Sequence, residues 1–88
     1  MTIELHPNFT KSYKKRITNN PQLVKRTEER LTLFKNDPTN PILKGHQLTG
    51  ARNAFRDFSI TGDIRIIYLP VSEDHIILIN IGTHNQVY

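Results

Sequence analysis

Residues 62–88 read GDIRIIYLPVSEDHIILINIGTHNQVY, and this stretch decides the fold. Two apolar runs, 63–71 and 75–81, flank an acidic turn, which predicts two neighbouring antiparallel strands. Antiparallel pairing places the start of the first strand beside the end of the second. Polar side chains lie at both positions, so this end of the strand pair is the first candidate site.

Four side chains at this end combine acid–base groups with a fixed cation. Asp63 and Arg65 begin the first strand, and His84 and Tyr88 follow the second. Singly, each has an ordinary explanation, such as a turn, a surface ion pair or a terminal aromatic. Together, a carboxylate, a guanidinium, an imidazole and a phenol suit acid–base chemistry on a phosphodiester.

The length and charge of the chain indicate one small basic domain. Its 88 residues fit a single domain, 1–88, with a modest core. The net charge is +4, and the segment from Lys11 to Arg56 contains eleven basic residues and only three acidic ones. Such a segment favours a polyanionic partner, RNA or DNA. A solvated basic surface explains a charge of +4 equally well.

The composition excludes several kinds of site. With no cysteine there is no disulfide, thiolate zinc site or thiol nucleophile. The histidines are His6, His46, His75 and His84. They lack the short spacing of metal ligands, so no metal or other cofactor is expected. Because no membrane span or signal peptide is visible, we expect a cytoplasmic protein without membrane association.

The first half of the chain predicts a short strand and a helical hairpin. Residues 3–5 alternate as in a strand, and Asn8 is the predicted cap of a helix with Phe9, Tyr13 and Ile17 on one face. A second helix follows. Its inner side is predicted to contain Leu23, Val24, Thr27, Leu31 and Phe34.

The ends of the second helix are marked by turn-forming residues. Asn20 is the predicted cap, and Pro21 occupies the first helical position. The helix should end near Asn36, because Pro38 and Pro41 forbid its continuation.

From Lys44 onward the pattern is that of strands. Runs at 54–60, 63–71 and 75–81 predict an antiparallel meander. The predicted class is α+β, with an N-terminal strand and a two-helix hairpin packed on one face of a curved antiparallel sheet.

Alternation along the strands assigns side chains to faces. Asp63 and Arg65 should face outward, since the apolar residues between them must cover the helices. Arg56 and Asp57 on the preceding strand point to opposite faces, so only one of them can join Arg65.

Four blocks of the sequence resemble the YafQ branch of the RelE/ParE toxin superfamily. They are KGHQLTG at 44–50, FRDF at 55–58, GDIRIIY at 62–68, and Gly-Thr-His at 82–84 before a terminal aromatic. The resemblance covers nearly the whole chain. It implies a compact microbial RNase fold and the toxin half of a type II toxin–antitoxin pair, which cuts messenger RNA in the ribosomal A site.

The resemblance also implies residue roles. His84 is the leading candidate for the general acid, and the base is left open between Asp63 and His46. Tyr88 stands where the YafQ branch usually has phenylalanine and where RelE has a catalytic tyrosine. Arg65 resembles an arginine of the RelE branch that binds the scissile phosphate, and Arg56 is expected to assist it there.

The sequence departs from the YafQ pattern at two positions. A histidine common before Asp63 is replaced, most simply by Ser59, and the tryptophan that often follows Asp63 is Ile64.

The resulting hypothesis is a metal-independent endoribonuclease that leaves a 2′,3′-cyclic phosphate and a 5′-hydroxyl. RNA contacts are expected from Arg56, Lys44, Arg52, Lys14 and Lys15. The expected partners are messenger RNA, the ribosome and a cognate antitoxin in a hetero-oligomer. The alternatives are a ParE-like toxin that inhibits DNA gyrase without nuclease activity, and a non-catalytic RNA-binding or antitoxin-like module.

Overall fold

The computed structural model describes residues 1–88 and contains a five-stranded sheet. The strands are β1 (Thr2–Leu5), β2 (His46–Gln47), β3 (Arg56–Ser59), β4 (Ile64–Ser72) and β5 (His75–Thr83). The helices are α1 (Pro7–Arg16), α2 (Pro21–Asn36) and α3 (His84–Val87). The strand order is β1-β5-β4-β3-β2. The α+β class is confirmed, with one addition: β1 joins the antiparallel sheet as a parallel neighbour of β5.

The helical hairpin begins with side-chain caps. The Asn20 side chain accepts hydrogen bonds from two main-chain N–H groups of the first turn of α2, at 3.1 and 3.2 Å, as predicted. The predicted cap of α1 is wrong. His6 Nδ1 accepts from the Asn8 N–H at 3.0 Å, because Pro7 fits the first helical position and moves the cap upstream. Asn8 Nδ2 instead donates to the Ile79 carbonyl at 2.9 Å.

The main core lies between the helices and one face of the sheet. Phe34 of α2 stacks on Phe58 of β3 with ring centroids 4.5 Å apart, and Tyr68 of β4 meets Phe34 edge-on at 5.1 Å. Phe9 and Ile17 of α1 are buried in the same cluster, which confirms the predicted apolar face of that helix. None of the helices is long and apolar enough to cross a membrane.

A second, smaller cluster covers the opposite face of the sheet. Val87 of α3 packs with Leu48 and Ile67, and Phe55 borders them. This contact folds the C-terminal residues back over the outer face of β4. Neither α3 nor the two-residue β2 was predicted, because elements this short show no periodicity.

The predicted strand limits need small corrections. The 54–60 run forms a strand only from Arg56, and β5 extends to Thr83 rather than 81. Asp63 lies in the turn before β4, where the Thr61 hydroxyl accepts from the N–H groups of Asp63 and Ile64, at 3.2 and 3.0 Å. The Thr61 side chain therefore stabilises this turn, and the Asp63 carboxylate stays exposed.

Candidate active site

The strand register places the candidate groups on the outer face of the sheet. His46 lies opposite Asp57, and Arg65 lies opposite both Ser59 and Gly82. Residues directly opposite each other share a face, and so do residues two apart on one strand, such as Asp57 and Ser59. Asp57 is therefore the β3 residue that joins Arg65.

Arg56 has the other orientation. It lies opposite Tyr68, whose ring belongs to the core beneath the helices. The expectation that Arg56 assists Arg65 at one phosphate is wrong for this reason, because the sheet separates the two guanidinium groups.

A buried ion pair forms the centre of the outer face. Arg65 Nε donates to Asp57 Oδ2 at 3.0 Å, and Arg65 Nη2 donates to Asp57 Oδ1 at 3.1 Å. The side chains are 15% and 2% exposed, respectively. This two-point contact fixes the plane of the guanidinium. The pair is thus not the weak surface pair that the sequence alone suggested.

The backbone of Lys44 adds a further contact to Arg65. Arg65 Nη2 donates to the Lys44 carbonyl at 2.9 Å. Lys44 has φ 48°, a left-handed conformation that costs a non-glycine residue about 1 kcal/mol. That conformation directs the Lys44 carbonyl at the guanidinium while leaving the side chain exposed.

His46 extends the ion pair toward solvent. Its Nδ1 lies 3.2 Å from Asp57 Oδ1 and 3.2 Å from Arg65 Nη2, and its N–H donates to Asp57 Oδ1 at 3.1 Å. A protonated Nδ1 donates to Asp57, and an unprotonated one accepts from Arg65. The ring therefore keeps its orientation while its proton moves. The side chain is 63% exposed, so Nε2 is accessible to a substrate.

His84 and Tyr88 form the second part of the site. Their ring centroids are 4.4 Å apart, with the planes inclined at 47°. His84 follows Thr83, which pairs with Ile64, so His84 and Asp63 lie at the same end of the β4–β5 pair. The Asp63 carboxylate makes no hydrogen bond or ion pair with the protein. It lies near His84 but outside the Asp57 network.

Side chains of Arg16, Arg52 and Gln86 fix the end of β5 and the helix α3 that follows it. Arg16 Nη1 donates to Asn80 Oδ1 at 3.2 Å and to the Ile81 carbonyl at 2.9 Å. Arg52 Nη1 donates to the Val87 carbonyl at 3.1 Å. Gln86 Oε1 accepts from the Thr83 N–H at 2.8 Å. The position of His84 therefore depends on contacts with α1 and with the loop before β3.

Gly82 leaves the room that this arrangement needs. A Cβ at Gly82 would lie 2.6 Å from Gln86 Oε1 and 2.8 Å from Arg16 Nη1. The two side chains can move away, but they then lose their hydrogen bonds to the Ile81 carbonyl and the Thr83 N–H, so we expect Gly82→Ala to lower the free energy of unfolding by about 1–3 kcal/mol. It should also lower activity by displacing His84.

Urea unfolding and toxicity of the Gly82→Ala variant measure these effects. Gly62→Ala is the matched control, because a Cβ there meets nothing within 4 Å. Equal unfolding midpoints for the two variants would contradict the role given to Gly82.

The remaining predicted residues have different placements. Lys14 and Lys15 are exposed on α1, and neither takes part in the Asp57 network. Arg52 binds the end of α3. No group of three histidine, aspartate or glutamate side chains is close enough to hold a metal ion. Asp57 is the site residue that was not assigned from the sequence, because strand alternation left open whether Arg56 or Asp57 shares the face of Arg65.

Comparisons with known proteins agree with this architecture. Residues 1–88 match the family described as bacterial toxin of type II toxin–antitoxin system, YafQ. YafQ from E. coli strain BL21(DE3) has 22% identity and a TM-score of 0.82, with 98% of this chain and 96% of that chain covered. YafQ in the E. coli DinJ–YafQ complex has 22% identity and a TM-score of 0.79 over the same shares.

A further similar structure is a copper-bound mutant toxin from Helicobacter pylori. It has 30% identity and a TM-score of 0.76, with 100% of this chain and 99% of that chain covered. No protein with a curated description matches the sequence significantly. The family match over the whole length, with the fold that accompanies it, shows that this chain belongs to the YafQ family of toxins of bacterial type II toxin–antitoxin systems.

Proposed function

We propose that this toxin is an endoribonuclease that cuts messenger RNA in the ribosomal A site and needs no metal ion. The observation that supports this most directly is the His46–Asp57–Arg65 network, which lies on the same face as the end of β5 that leads to His84. In this network His46 is a base held in orientation by Asp57, and Arg65 is a fixed cation. His84 provides the acid. The proposed place of action is the cytoplasm, where translation occurs.

The proposed reaction is an attack by the ribose 2′-hydroxyl on the adjacent phosphorus. A base removes the hydroxyl proton, and an acid protonates the departing 5′-oxygen. The products are a 2′,3′-cyclic phosphate and a 5′-hydroxyl. His84 is the proposed acid, because it is exposed and its only recorded side-chain contact is the Tyr88 ring.

Arg65 is the proposed stabiliser of the charged phosphorane-like state. Asp57 and Lys44 occupy its Nε and Nη2 donors, and no protein group occupies Nη1. A donor held in place before the reaction stabilises developing charge without reorganisation, and such a donor is typically worth about 3 kcal/mol.

Between the two possible bases, the contacts favour His46. As a base, the neutral ring carries its proton on Nδ1 and donates it to Asp57, as the histidine of a hydrolase triad does, and this tautomer leaves the exposed Nε2 free to take the hydroxyl proton. Asp63 has no such partner. Its proposed role is electrostatic, at the end of the sheet that His84 occupies.

The ribosome is the proposed source of substrate positioning. His46 and Tyr88 are largely exposed, at 63% and 42%, and the site has no deep cleft. Holding a nucleophile in line with its target supplies a large part of a rate enhancement. A toxin with few contact groups obtains that alignment when the message is already held in the A site.

Induction of the chain tests this function. We expect growth arrest, new 5′ ends within translated messages by primer extension, and unchanged plasmid supercoiling. Co-expression of the cognate antitoxin should reverse the arrest. Collapse of supercoiling with intact messages would contradict the proposal and support a ParE-like action on gyrase.

A further inference from the structure

A small polar cavity lies across the sheet from Arg65. It has a volume of about 230 Å³, and no large apolar side chain lines it. Its walls are formed by Pro38, Thr39, Asn40, Pro41, Gly45 and Arg56. The segment after α2 thus forms one wall, and Arg56 of β3 forms another.

Arg56 has unused hydrogen-bonding capacity in this cavity. It is half-buried, and its guanidinium makes no ion pair with a carboxylate of the protein. Burial raises the pKa of Tyr68, and the positive charge of Arg56 partly offsets that rise. A guanidinium has five N–H donors. Arg65 and Arg16, in contrast, bind carbonyl or carboxylate oxygens of the protein.

The chemistry of the cavity favours a phosphate over a peptide. No carboxylate lines it, and the carboxylate of nearby Asp37 already accepts from Asn40 Nδ2 at 3.1 Å. An arginine without a carboxylate partner in a polar recess matches the oxygens of a phosphate. An amphipathic peptide would find no large apolar side chain to pack against.

The location relates this cavity to the candidate active site. Gly45 precedes His46 in the chain, and Gln47 of β2 lies opposite Arg56 of β3. Because β2 is the edge strand, a polynucleotide can pass from His46 over this edge to Arg56. We propose that Arg56 and the 38–41 segment form a second phosphate subsite, which binds a backbone phosphate of the RNA other than the scissile one. This inference rests on the proposed RNA cleavage.

Nuclear magnetic resonance titration of the free toxin tests the subsite directly. The probes are a 2′-O-methyl RNA pentanucleotide, which lacks the attacking hydroxyl, inorganic phosphate and a hexaglutamate peptide. We expect the RNA to shift the Arg56 Nε–H signal and the signals of Arg65 and His46. Phosphate should shift Arg56 more weakly, and hexaglutamate should leave it unchanged.

The outcomes of the titration separate the subsite from the proposed function. Shifts at Arg65 and His46 without a shift at Arg56 would overturn the subsite alone. A shift at Arg56 alone would support the subsite and count against the active-site assignment. No shift by RNA at any of the three would overturn the subsite, while the proposed function, which depends on the ribosome, is tested by cleavage on programmed ribosomes. A shift at Arg56 by hexaglutamate but not by RNA would assign the cavity to an acidic protein partner instead.

Variants provide the second measurement. We expect Arg56→Gln to weaken binding of the pentanucleotide about tenfold, and to raise KM on programmed ribosomes with kcat unchanged. The slope of log K against log salt should fall by about 0.7. Arg26→Gln, which removes an exposed α2 charge, is the matched control and should change neither value. Equal behaviour of the two variants would overturn the subsite.

Discussion

Replacing His84 with alanine is expected to abolish growth arrest and to slow message cleavage by about 10²–10⁴-fold, the usual contribution of a general acid. The fold should be unaffected, because the His84 side chain is exposed and its recorded contact is the Tyr88 ring. Toxicity on induction and single-turnover cleavage on programmed ribosomes measure the effect. Urea unfolding checks that stability is unchanged.

The pH–rate profile makes the His84 assignment specific. Loss of a titrating acid should remove one limb of the profile, whereas Arg65→Lys should lower the rate and keep the shape, since a guanidinium does not titrate in this range. Tyr88→Phe is the matched control. It keeps the ring against His84 and should retain most of the activity. A folded His84→Ala variant with parental toxicity would refute the acid assignment.

Asp57→Ala is expected to produce the largest loss of stability. It leaves the half-buried Arg65 guanidinium without its carboxylate, and removing one partner of a buried ion pair costs about 3–5 kcal/mol. That is a large fraction of the roughly 5–15 kcal/mol that stabilises a typical domain. The measurement is the free energy of unfolding in urea.

The double variant Asp57→Leu/Arg65→Met separates stability from chemistry. An apolar pair of similar volume can replace a buried ion pair at little cost, so this variant should regain most of the stability and remain inactive. If Asp57→Ala were as stable as the parent protein, the stabilising role of the buried ion pair would be contradicted. Activity in the double variant would contradict the role of Arg65.

The parts of the fold that were predicted from the sequence depend on local signals. Asn20 followed by Pro21 starts α2, and the acidic turn between two apolar runs defines the β4–β5 pair. These signals act within a few residues, so no knowledge of the rest of the chain is needed. The assignment of Arg65 to the outer face followed from strand alternation in the same way.

The parts that were missed depend on contacts between distant segments. Both Arg56 and Asp57 are charged, so the sequence could not decide which of them faces Arg65 until the β3–β4 register was known. His46 joins them through a two-residue strand, which has no periodic signal. The position of α3 depends on Arg52, which binds the Val87 carbonyl, on Arg16, which holds the end of β5, and on the absence of a side chain at Gly82. None of these residues marks a helix in the sequence.

The chemical nature of the cut ends tests the central claim most directly. Purified toxin is incubated with programmed ribosomes at constant magnesium concentration, with and without a chelator that spares magnesium. We predict cleavage in both cases, with a 2′,3′-cyclic phosphate on the upstream fragment and a 5′-hydroxyl on the downstream one. Intact messages, chelator-sensitive cleavage, or ends with a 3′-hydroxyl and a 5′-phosphate would contradict the account.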